Sequence, residues 1–99
     1  MHKMIVFYPK PDDPEQFKKH YRETHLPLVD KIPGLKLYSY GYPATLDGKE
    51  LPHFCMFVGE FESLSAMQAA FGAAEGKAAV ADIPNYSPKG ATVVHMQAE

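Results

Sequence analysis

Apolar residues run unbroken from Met4 to Tyr8 and stop at Pro9, and the run is rich in β-branched and aromatic side chains. A short run of this kind, ended by a proline, predicts a strand. The period then changes. After the connector "PKPDDP", Asp13 is placed to cap a helix, Pro14 suits its first position, and Gln16 stands where a capping box closes. Phe17, Tyr21, Thr24 and Leu28 fall on one stripe of a helical wheel turned by about 100° per residue. Glu15, Lys18, Lys19, Arg22 and Glu23 lie mainly on the other side. The helix is expected to fail by Pro33-Gly34.

"LKLYSYGY" alternates and predicts a second strand, and Asp47-Gly48 marks a turn in the loop Pro43 to Leu51. "HFCMFVGEF" predicts a third strand. Ser63 can cap a second helix carrying Leu64, Met67 and Phe71 at helical spacing. Gly72 and Gly76 predict a break, followed by a shorter helix through Ala81. "DIPNYSPKG" reads as a loop and "ATVVHMQ" as the fourth strand.

The order β-α-β-β-α-β predicts an α+β, ferredoxin-like domain over residues 1–99. Both helices would pack on one face of a four-stranded antiparallel sheet. A sheet with one wet face alternates apolar with polar residues. Here Met4, Val6 and Tyr8 are opposed by Ile5 and Phe7, and Phe54, Met56 and Val58 by Cys55 and Phe57. Val93 is likewise opposed by Val94 and Met96. The helices cover one face only, so a second copy of the chain is expected on the other, giving a homodimer.

Composition narrows the function. The formal net charge of −2 lacks the basic footprint of a nucleic-acid binder. No segment approaches the length of a membrane span. Cys55 is the only cysteine, which rules out an intrachain disulfide and fits a reducing compartment. The apolar run Met4 to Tyr8 is too short for a signal peptide, so a cytoplasmic location is expected.

The chain carries no nucleophile elbow, phosphate-binding loop, dinucleotide fingerprint or zinc-type Cys/His spacing. What remains is general acid–base chemistry by histidine, tyrosine or aspartate in an apolar pocket, or binding alone. His25 is the leading acid or base. It sits at one edge of the apolar stripe, with Tyr21 four residues earlier and able to meet it. Pro27 cannot donate to the Glu23 carbonyl and its ring would clash with it, so a kink or restart is expected beside His25. The bland alternative is a packing bend with a half-buried histidine bonded to backbone. His20 falls at the opposite edge of the stripe, which argues against a helical metal pair. Tyr38 and Tyr40 share a face of the second strand with Tyr42, as pocket residues or as an interface. His53 opens the third strand near them across the hairpin, and Tyr86 and Asp82 frame the loop at Pro84. His95 in the fourth strand reads as a paired core or interface residue.

The segment "DPEQFKKHYRETHLPLVDKIPGL" resembles the opening of the EthD family, named for ethyl tert-butyl ether degradation. The matching features are Tyr8-Pro9, Tyr21-x3-His25-x-Pro27-Leu28 and Pro33-Gly34. "FESLSAMQAAF" and "GKAAVADIPNY" resemble its second half. The resemblance implies a ferredoxin-like protomer, a dimeric α+β barrel and a cofactor-free pocket between sheet and helices. Relatives in the wider barrel group include isomerases, cyclases or dehydratases of aromatic polyketides, and small monooxygenases. The expectation is therefore a protein that binds a small apolar or aromatic metabolite and transfers a proton through His25, with Tyr21 orienting it. Tyr38, Tyr40, His53 and Tyr86 would line the pocket. The alternatives are a dimeric binding module without catalysis and a cofactor-free monooxygenase.

Overall fold

Strand β1 (His2–Pro9) pairs antiparallel with β3 (His53–Phe61) on one side and β4 (Thr92–Gln97) on the other. Strand β2 (Leu37–Gly41) adds to the far side of β3, so the sheet order is β2-β3-β1-β4. The computed structural model describes residues 1–99 and has the α+β, ferredoxin-like architecture that the order of elements predicts. Helices α1 (Pro14–His20) and α2 (Leu26–Val29), α3 (Leu64–Gly72) and α4 (Ala74–Tyr86) cover one face. Met4, Val6 and Tyr8 of β1, with Cys55, Phe57 and Phe61 of β3, are buried beneath them.

Local signals act largely as the sequence indicates. Asp13 Oδ1 accepts a hydrogen bond from the Gln16 backbone N–H at 3.1 Å, and Ser63 Oγ accepts one from Ala66 N–H at 3.1 Å. Each satisfies a helix-terminal donor. The capping box stays half-made, because the Gln16 amide donates to the Asn85 carbonyl at 3.3 Å instead.

Between α1 and α2 the helix does not stop. Residues Tyr21–His25 form one π turn, closed by Leu26 N–H donating to the Tyr21 carbonyl. Pro27 has no N–H and stands in the first turn of α2, where that donor is not needed. The widened turn absorbs the proline without ending the helix. It also resets the buried face. Phe17, Tyr21, His25 and Val29, spaced by four, all point inward, whereas Thr24 is exposed. A uniform α-helical wheel mistakes this phase and puts Thr24 in the stripe and His25 at its edge.

The second helical segment breaks at Ala73, inside the expected window. Gly76 permits the close approach that follows: a Cβ there would lie 2.1 Å from the Ala70 carbonyl oxygen. The expected end at Ala81 is wrong. Helix α4 continues through Pro84 to Tyr86, which places Asp82 within the helix rather than in a loop.

The opposite face of the sheet has no cover from this chain. Leu37, Val94 and Met96 are exposed there, beside half-buried Phe7, Met56 and Val58.

Candidate functional site

The helix-covered face is not fully packed. A cavity of about 240 Å³ lies between β1, β3 and the helices. Its walls are almost wholly apolar, including Val6, Phe57, Phe61, Met67 and Ile83. The polar exceptions are Tyr8, His25 and His95. Exposed Val80 of α4 and Val93 and His95 of β4 also line it, so the cavity opens between α4 and the β4 edge.

His25 is brought to the cavity by the π turn and held by α4. Its Nδ1 lies 3.0 Å from Asp82 Oδ2. A carboxylate only accepts, so Nδ1 carries the proton and Nε2 the lone pair. No protein group hydrogen-bonds to Nε2. The result is a fixed tautomer with its basic nitrogen left free.

Asp82 receives more than one donor. His20 Nε2 lies 2.9 Å from Asp82 Oδ1, and Asn85 Nδ2 donates to the same oxygen at 3.0 Å. Residues five apart meet one partner here because they are one π turn apart, which places His20 and His25 on a common side. The wheel expectation of opposite edges is thereby corrected. No cluster of three or more acidic, Cys or His side chains has metal-binding geometry.

The charges follow from these contacts. Burial lowers the His25 pKa below its ordinary value of 6.5, and the hydrogen bond and negative charge of Asp82 offset this only in part. His25 is therefore neutral at pH 7. Burial raises the Asp82 pKa, but hydrogen bonds from Asn85, His20 and His25 outweigh it and hold the carboxyl below 3.8. Asp82 is an anion beside a neutral, basic imidazole. Cys55 is buried on β3 and burial pushes its thiol to about 12, so it supplies no thiolate near neutral pH.

The other residues singled out from sequence separate. Tyr21 stacks on His25, ring centroids 5.2 Å apart, but its hydroxyl is buried without a partner and does not reach the imidazole. The orienting hydrogen bond comes from Asp82. Tyr86 packs 4.7 Å from the His25 ring and donates to the Tyr8 hydroxyl at 2.9 Å. It buttresses the cavity without lining it. Tyr38 stacks on Phe57 and donates to Asp30, and Tyr40 packs on Tyr21; neither lines the cavity. His53 is on the wrong side. The β1–β3 register shifts between Tyr8 and Pro9, and His53 stacks on Phe7 at 4.6 Å, on the outer face.

Sequence reasoning missed three participants: Asp82 as the histidine partner, His20 as its second donor, and His95 in the cavity wall. The four-residue spacing of Phe17, Tyr21, His25 and Val29 was a signal for the helix phase that brings His20 and His25 to one side; no local signal pointed to Asp82.

The model of the EthD domain matches residues 10–89. An uncharacterized 11.0 kDa protein from the thcB-thcC intergenic region of Rhodococcus erythropolis is 33% identical over 99 residues, covering 100% of this chain and 96% of that protein. The crystal structure of an ethyl tert-butyl ether degradation (EthD) family protein from Bacillus halodurans superposes with a TM-score of 0.92 at 29% identity. That match covers 100% of this chain and 99% of the other. A dimeric ferredoxin-like protein of unknown function from Thermobifida fusca has a TM-score of 0.72 at 22% identity, covering 98% and 90%.

Proposed function

The chain belongs to the EthD family, and on that footing we propose that it binds a small apolar or aromatic molecule between sheet and helices and moves one of its protons with His25. A single observation carries the reading. A neutral histidine with its Nδ1 tied to a buried carboxylate presents a free Nε2 in an otherwise apolar cavity.

A base in such a place has a defined task. Nε2 takes a proton from a carbon made acidic by an adjacent carbonyl. The imidazolium formed is stabilised by Asp82 at 3.0 Å, which stays ionised. The same proton returns to a second carbon for an isomerisation, or to a departing hydroxyl for a dehydration. General acid–base catalysis of this kind is worth about 10²- to 10⁴-fold in rate. Tyr21 and Tyr86 wall the imidazole, and Asp82 positions it. The step needs no cofactor.

We infer also that two copies pair through the outer sheet face, as a dimeric α+β barrel. Supporting this are the exposed apolar residues of that face and the dimeric description of the Thermobifida fusca protein.

The test is a screen of small ketones, lactones and hydroxylated aromatics against the protein and His25→Gln, with oxygen uptake recorded. Turnover without oxygen uptake, reduced at least a hundredfold in His25→Gln while binding persists, is expected. Full turnover by His25→Gln overturns the role of His25. Binding without turnover by the unmodified protein identifies a binding module, and oxygen uptake identifies monooxygenation.

A further inference from the structure

The cavity has a second imidazole that the proton-transfer reading leaves unused. His95, on edge strand β4, lines the cavity at its open side. Its Nδ1 lies 2.8 Å from Nε2 of His2 on β1. His2 is only 5% exposed, and its other nitrogen, Nδ1, is buried with no partner. Two imidazole nitrogens within hydrogen-bond distance require one to donate. An orphaned buried N–H is rarer than an orphaned acceptor. The consistent arrangement has His2 Nε2–H donating to His95 Nδ1 and the unpartnered His2 Nδ1 bare. His95 then carries its proton on Nε2, which has no protein partner.

The two ends of the cavity are thus complementary: a proton acceptor at His25 and an N–H donor at His95. The two imidazoles stand at different places along β1: His95 is paired with Met4, whereas the Tyr8 hydroxyl accepts from that of Tyr86, whose ring packs on His25. The 240 Å³ between them lies between the roughly 150 Å³ of a benzene-sized cavity and the pockets of drug-sized ligands.

Charge decides what occupies the donor end. The elements around the cavity contribute no acidic side chain to its lining; its titratable groups are Tyr8, His25 and His95. Neither His2 nor His95 pairs with a carboxylate. The His95 Nε2–H therefore has no anionic partner in the protein, and a carboxylate, which accepts in charge-assisted bonds, the strong ones, is the group that fits it.

We infer that the His2–His95 pair is an anion-binding mouth and that the ligand is a small apolar carboxylic acid, its carboxylate on His95 and its apolar body reaching toward His25. This rests on the reading of the cavity as a ligand site, but not on catalysis there. His95 touches the ligand; His2 positions His95. The pair is on the helix-covered side of the sheet, so pairing of two copies through the outer face leaves it free.

Titration calorimetry with 4-ethylbenzoate and its neutral isostere 4-ethylbenzamide tests the inference on the full chain, on the exposed-site variant His95→Gln, and on His2→Gln and His25→Gln. The acid is expected to bind at least tenfold tighter than the amide. His95→Gln should abolish that preference, His2→Gln should weaken it, and His25→Gln should keep it. Equal affinity for acid and amide, or a preference untouched by His95→Gln, overturns the anion-binding mouth while leaving the apolar site standing. Failure of both probes to bind overturns the mouth and the cavity reading together.

Discussion

His25 Nδ1 and Asp82 Oδ2 stand 3.0 Å apart, joining a π turn to a helix 57 residues further along the chain. Asp82 fixes the tautomer, while the stacked Tyr21 does not reach the imidazole with its hydroxyl. The two residues therefore respond differently to substitution. Asp82→Asn should cost about 1–3 kcal/mol of stability, since buried bonds to a charged group are lost. It should also mix the His25 tautomers, read by the imidazole 15N shifts. Tyr21→Phe removes an unpartnered buried hydroxyl, so stability should hold or rise and the Nδ1–H tautomer should persist.

The pH dependence has a definite sign. The folded-state pKa of His25 lies below its ordinary 6.5, so the unfolded chain binds that proton more readily. Stability contributed by the neutral ring is complete above about pH 7 and is lost as the pH falls through 6.5 toward the folded value. Asp82, also depressed, adds a second loss as the pH falls below 3.8. Denaturant melts between pH 8 and 3 should show both declines, and the His25 Cε1 proton should titrate with a midpoint below 6.5.

Gly76 is a packing requirement. A methyl group there meets the backbone of Ala70 and Phe71, which no side-chain rotation relieves. Gly76→Ala should destabilise by about 1–3 kcal/mol despite the better helix propensity of alanine, as overpacking does. Gly72, with open space around its missing Cβ, gives the comparison: Gly72→Ala should be neutral or stabilising in the same chemical denaturation series.

Pairing of two copies through the outer face makes its own prediction. Val94 and Met96 project from β4 on the side opposite the cavity. Sedimentation should find a dimer at micromolar concentration, and Met96→Lys should shift it toward monomer while the far-ultraviolet dichroism is unchanged. A monomer before substitution removes that assembly.

The fold was legible because its signals are local. Alternation, the Asp13 and Ser63 caps and the Gly72–Gly76 break each act within a few residues, and the break falls at Ala73. His25 was legible as an ionisable residue beside a proline. Its partner was not. Asp82 lies on a helix that the sequence suggested would end at Ala81, and no local rule joins positions so far apart. Pro27 announced a disturbance, but the choice of a π turn over a kink depends on keeping Tyr21, His25 and Val29 buried together. His53 was misplaced by the register shift beside Pro9, which moves its ring to the other side of the sheet.

The central claim is that His25 moves a proton of a bound ligand, and hydrogen–deuterium exchange at carbon measures this most directly. Small ketones and lactones found to bind would be incubated in deuterated water with the protein and with His25→Gln, and deuterium incorporation next to the carbonyl followed by NMR. The account predicts incorporation with the protein and a loss of at least a hundredfold with His25→Gln at undiminished binding. Equal incorporation by both, or none by either while the ligand is bound, would contradict it.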